Sequence, residues 1–267
     1  MSAIAQPQSE TNDLFNSIFH ENAESLRLLY DGPRLKQYEW RLRILRKKQP
    51  NDVGVLVSLA AVLIMQGERD QAMPLLDAAW SLRSSATRPD YTALANVYII
   101  VGNLDRARQL GQELIERFNI IDNSFTLRTL AALCFVVGDI PSLKKLSPLI
   151  AAINEFNAAE VYLSAINAYG LAPHIAEHQR LIHSAIQPAP CWYDLELYID
   201  PEDGEWTICV KYAVRCDWEK AMNLEFKGTE VLMDYYKAQG IKPGPAAMFY
   251  NYMMVTIPPE ESGRLES

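Results

Sequence analysis

His174 and His178 stand four residues apart, and on a helix that spacing puts both imidazoles on one face, as two zinc ligands require. With His183 they place three of the chain's four histidines within ten residues. A second stretch with chemical potential is "RLKQYEWRLRILRKK", where Arg34, Lys36, Arg41, Arg43, Arg46, Lys47 and Lys48 stand against a single acid, Glu39. Its local charge of +6 leaves the remainder of the chain at −14. The cations could hold phosphates, and Tyr38 and Trp40 between them could stack on a base. The competing reading packs Leu35, Tyr38, Leu42 and Leu45 inward and leaves the cations as a solvated face, one that would also seat an acidic partner or the acidic C-terminal part of the chain.

The run from His174 to His178 reads H-x-x-E-H and resembles the inverted zinc-protease motif. The resemblance implies Glu177 as a general base activating a metal-bound water, and a third, acidic ligand well downstream on a neighbouring helix. No glutamate there is suitably framed by helix, and Pro173 confines His174 to a first turn. The alternative makes Ile175, His178, Ile182 and Ile186 the packed stripe of a helix, with His174 and His183 as solvated flanks. That structural reading is preferred, because short motifs match freely by chance. Phosphate-cradling glycine loops and a nucleophile elbow are absent, and "DPEDGE", Asp200 to Glu205, lacks calcium-loop spacing and reads as a hairpin tip. No catalytic residue, metal or cofactor is expected.

A net charge of −8 argues against a general coat for nucleic acid or an anionic membrane. No run approaches the roughly 18 uncharged apolar residues of a membrane span, and "MSAIAQPQSETND" lacks the basic start and apolar core of a signal peptide. Cys134, Cys191, Cys209 and Cys216 form no CxxC pair and read as reduced packing residues of a cytoplasmic protein.

The elements that would position these residues follow a period. Gly67, Gly102 and Gly138 are 35 and 36 residues apart; Gly32 extends the series backwards by 35 and Gly170 forwards by 32. An apolar segment of helical period precedes each glycine and another helical stretch follows it. A glycine ends a helix by accepting a left-handed conformation, after which Glu68, Asn103 and Asp139 can cap the next. Asp90 and Asp122–Asn123 precede further helix pairs, and Pro50 in "QPND" marks the first turn between units.

Leu56, Leu59, Ala60, Leu63, Gly67, Ala72 and Ala79 in the second unit resemble the tetratricopeptide repeat family. So do Leu94, Ala95, Tyr98, Gly102 and Ala107 in the third, and Leu130, Ala131, Cys134 and Gly138 in the fourth. The usual tryptophan is missing, and Pro74 and Pro148 suggest kinks or shifted starts in second helices. The resemblance covers roughly residues 13–187. It implies a concave surface lined by first-helix positions: Val57, Ala61, Ile64 and Met65, then Thr92, Asn96, Ile99 and Ile100, then Arg128, Ala132, Phe135 and Val136. The row is mostly apolar, with Asn96 and Arg128 as polar handles. It would take a protein or peptide segment with an apolar face, unless the N-terminal segment or the C-terminal domain covers it.

After "QPAPC" the period becomes alternating. Tyr193, Leu195, Leu197 and Ile199 share one strand face, and Ile208, Val210, Tyr212 and Val214 share another. A two-residue Asp203–Gly204 turn would pair Ile199 with Ile208, Leu197 with Val210 and Leu195 with Tyr212, with Glu196 opposite Lys211. Asp217 caps a helix that Gly228 could interrupt, and Ala246 to Ile257 reads as a strand widening the hairpin.

The expected fold is therefore α+β and mostly α: a tetratricopeptide-like solenoid of about ten helices over 13–187, then a small α+β domain over 191–257 with an antiparallel hairpin. Residues 1–12 and 258–267 read as disordered tails. The expected function is a non-enzymatic adaptor, chaperone or regulator that holds a partner segment in the groove. Self-association is open to it, and nucleic acid is the less favoured partner. The alternatives are a zinc-dependent hydrolase using His174, Glu177 and His178, and a nucleic-acid-binding regulator using Arg34 to Lys48.

Overall fold

The computed structural model describes residues 7–19, 28–118, 124–153, 157–170, 172–186, 189–199, 206–240 and 250–257. Among them are eleven α-helices and three strands. The helices are α1 (Pro7–Phe19), α2 (Gly32–Lys48), α3 (Val53–Met65), α4 (Arg69–Leu82), α5 (Arg88–Ile100), α6 (Leu104–Arg117), α7 (Ser124–Val136), α8 (Ile140–Ala152), α9 (Ala158–Tyr169), α10 (Ile175–Ala185) and α11 (Trp218–Ala238). The strands are β1 (Trp192–Ile199), β2 (Trp206–Arg215) and β3 (Tyr250–Ile257). The fold is mostly helical with a small sheet, as the sequence implies.

By packing, the chain divides into two compact units, residues 1–97 with 257–267, and residues 98–256. The division falls within α5, and the expected boundary at 187–191 lies inside the second unit, which holds helices and sheet together.

In the first unit, α3 follows from its sequence: "VGVLVSLAAVLIM" offers no polar stripe, so every residue of it is buried. Asp52 starts the helix by accepting the Val55 N–H at 2.9 Å. Among the described residues most of the cover comes from α4, α2 and α1. Leu35, Tyr38, Leu42 and Leu45 of α2 turn inward as expected. Gly32 does not close a preceding helix; it opens α2, with Asp31 capping the Arg34 N–H at 3.0 Å and Pro33 in the first turn. The four later glycines of the series, Gly67, Gly102, Gly138 and Gly170, all take φ between +65° and +84°. Pro74 and Pro148 lie inside α4 and α8, which continue through them. Asn103 and Asp139 cap as expected, whereas the Glu68 side chain makes no cap bond. Residues 7–12 belong to α1 and are no tail; 1–6, 122–123 and 258–267 lie outside the described residues.

In the second unit, α8 packs on α7 and α9, while α10 touches α7 and carries α11. The sheet order is β1-β2-β3, so the segment ending at Ile257 does widen the hairpin. Strands β1 and β2 are antiparallel, but Leu195 faces Val210, Leu197 faces Ile208 and Ile199 faces Trp206. The register therefore differs by two residues from the Asp203–Gly204 pairing, and Asp194 replaces Glu196 opposite Lys211. A slip of two keeps every side chain on its own face, so alternation alone could not distinguish the two registers. The hairpin turn itself lies outside the described residues. Gly228 does not interrupt α11: it is buried, and a Cβ there would lie 3.1 Å from Ile182 Cδ1, a close contact with the far end of one side chain.

Candidate functional site

The residues expected to line an open groove are mostly buried. Val57, Ala61, Ile64, Met65, Ile99, Ile100, Phe135 and Val136 are all buried; Asn96 and Ala132 are half-buried and Arg128 is exposed. In the first unit the cover on α3 includes α1, whose Leu14, Phe15 and Ile18 are themselves buried. In the second unit Phe135 of α7 stacks on Tyr162 of α9, with ring centroids 4.7 Å apart. Most of the apolar area that the residue pattern assigns to an open surface is thus buried. The reason is that first-helix positions at 3.6-residue spacing look identical whether a partner or the chain itself covers them.

The histidines sit in a different kind of place. Pro173 and the turn before α10 put His174 at the start of that helix, and His178 lies one turn on. Their rings stack at 6.3 Å, and each Nδ1 is paired with a tyrosine hydroxyl of α11: His174 with Tyr235 at 2.8 Å and His178 with Tyr236 at 3.3 Å. Burial first, and the neighbouring His174 second, pull the His178 imidazole down to about 4. Glu177 turns to Arg180, at 3.4 Å. Among the described residues, no group of three or more His, Cys, Asp or Glu side chains could hold a metal ion. His183, expected as a solvated flank, is half-buried edge-on against Tyr212, ring centroids 5.3 Å apart. It also lies over Gly102, where a Cβ would come within 3.2 Å of its Cγ. His178 and Ile182 are buried as the stripe reading requires.

Of the seven cations on α2, Arg41 is half-buried and the others are exposed. Arg43 pairs with Glu39 at 2.6 Å and also donates to Gln71 at 3.0 Å. Arg34 donates to the Tyr38 hydroxyl at 3.0 Å, so Tyr38 is committed to the core and to Arg34 rather than to stacking. Trp40 is 65% exposed. Arg46, Lys47 and Lys48 fill the last turn, where cations oppose the negative end of the helix dipole.

One feature was not foreseen. A cleft of about 550 Å³ opens in the first unit at the start of α3, lined by Asn16, Asn51, Asp52, Gly54, Ser85, Thr87 and Asp90 among others. Asp90 accepts the Thr87 N–H at 2.9 Å and its hydroxyl at 2.7 Å. Desolvation raises the Asp90 carboxyl above its ordinary value, and the Asp52 charge adds to this. A Cβ on Gly54 would meet Asp90 Oδ1 at 2.7 Å, so the glycine is what admits that carboxylate. Asp52 and Asp90 are visible in the sequence as helix-start residues, but nothing there shows that the two starts converge.

No protein-family model, no curated protein and no solved structure matches the chain, so the likeness to tetratricopeptide repeats rests on its own residues and helix pairing.

Proposed function

We propose that the chain is a non-enzymatic scaffold that takes an amphipathic helical segment of a partner protein on the α3 face, in exchange for its own α1. The observation that carries this reading is the seating of α1: Leu14, Phe15 and Ile18, presented by a 13-residue helix, are buried where α1 lies on α3 and touches α2. That contact is a helix-in-groove complex formed in cis. A partner would compete with an internal ligand whose effective concentration is high, so only a well-matched apolar stripe would displace it. Adaptor and chaperone roles are both compatible with such an exchange.

The test is a photo-crosslinking residue at Ala61, introduced into the full chain and into a Leu14→Asp/Ile18→Asp variant that releases α1. In the unaltered chain it should label α1. In the variant, exposed to extract from the native organism, it should label a partner helix identifiable by mass spectrometry. Labelling confined to the chain itself in both cases would sink the reading.

A second reading, binding of single-stranded nucleic acid on α2, is favoured by one observation, the exposed Trp40 among cations. It requires salt-dependent binding that Trp40→Ala and Lys47→Glu each weaken. The hydrolase alternative has less support, because among the described residues no third His, Cys, Asp or Glu side chain joins His174 and His178 in a group that could hold a metal ion.

A further inference from the structure

Among the described residues, four of the six large apolar side chains that stand exposed, Trp218, Met222, Phe226 and Met233, lie on α11, and Trp218 and Phe226 are 66% and 67% exposed. They are not the face that holds the helix in place: Ala221, Leu224, Gly228, Leu232 and Tyr236 do that, and α11 packs on α10. The helix therefore carries two apolar stripes, and the second faces outward. Its positions have an internal symmetry. Met222, Phe226, Thr229 and Met233 are spaced four, three and four residues, a series that reads the same in both directions.

We infer that this stripe is the interface of an antiparallel homodimer in which α11 packs against α11 of a second copy about a two-fold axis. In that register each Met222 meets Met233 of the other copy and each Phe226 meets Thr229, an alternation of four and three residues of the kind that seats knobs in holes. The same register brings exposed Glu219 of each copy to within one residue of the level of exposed Lys237 of the other, within reach of two long side chains, so the charges match twice, as a self-complementary interface demands. A parallel pair would set Glu219 against Glu219. This charge match and the symmetric spacing favour a second copy over an unrelated partner. The inference concerns a different face from the α3 exchange and stands without it.

Sedimentation velocity over a dilution series tests it. The unaltered chain should sediment as a dimer that dissociates on dilution. Phe226→Asp should weaken association by about 30-fold or more, the effect of removing a central anchor. Glu219→Lys alone should weaken it by about threefold to tenfold, and Glu219→Lys with Lys237→Glu should restore it. Far-UV circular dichroism should be unchanged throughout, since all three positions are exposed. A monomer at every concentration, a dimer indifferent to Phe226→Asp, or a charge exchange without rescue would each overturn the arrangement.

Discussion

Helices α3 and α11 are both rich in apolar side chains, yet the chain treats them differently. Helix α3 is apolar all round and receives neighbours on every side, including α1. Helix α11 has two apolar stripes, and among the described residues one is buried and the other stands exposed. Composition alone does not separate a groove from a core or an outer face from an inner one; the number of neighbours does. An apolar surface that the chain covers says how it folds, and one that it leaves bare says what else it meets.

The sharpest way to break this contrast is truncation. Leu59→Ala in α3 should lower stability by about 2–5 kcal/mol, because the methyl groups lost leave a void in a surrounded site. Phe226→Ala in α11, at concentrations where the chain is monomeric, should change it by less than about 0.5 kcal/mol. Urea unfolding followed by circular dichroism measures both; equal losses would erase the distinction.

The inner side of α11 gives the next largest effect, through acid. His178 titrates at about 4 in the folded chain against about 6.5 unfolded, so the unfolded chain binds the proton first. Stability is complete above about 6.5 and declines as pH falls toward 4, by about 3 kcal/mol in all. The urea midpoint should trace that loss, and His178→Asn should flatten it.

Each helix also contains a glycine, and the two should behave oppositely. Gly54→Ala drives a Cβ into the Asp90 carboxylate and should cost about 1–3 kcal/mol. Gly228→Ala meets only the flexible end of Ile182, so better helix propensity should leave it neutral or stabilising by up to about 1 kcal/mol. Thermal melts of the two variants decide. The smallest effect belongs to Asp90→Asn. A raised carboxyl value means that ionisation opposes folding as pH rises through it, so the neutral amide should melt slightly higher at pH 7 and show no gain in acid.

Much of this architecture was legible from residues. The glycine series marked four helix ends correctly, because a left-handed turn selects glycine so strongly. Gly32 fell on the same period by spacing and serves a helix start, where Asp31 and Pro33 were the better signal. Strand faces were readable because alternation is local, while the register needed the true loop length. For the candidate site, the row expected to line a groove was legible as apolar, but what buries it was not. Leu14, Phe15 and Ile18 lay just after a segment read as a tail, and their match to α3 is a long-range fact.

By itself the sequence determined what local physics controls: which segments are helical, where most of them stop, which faces are apolar, and that His178 belongs to a packed stripe. Tertiary structure alone decided which apolar faces meet each other. It laid α1 on α3, brought Tyr235 and Tyr236 to the histidines, drew Asp52 and Asp90 to one cleft, and left the outer stripe of α11 without cover. The physical reason is that hydrophobic burial is non-directional: a stripe specifies that something must cover it, and only the closed geometry of the chain specifies what.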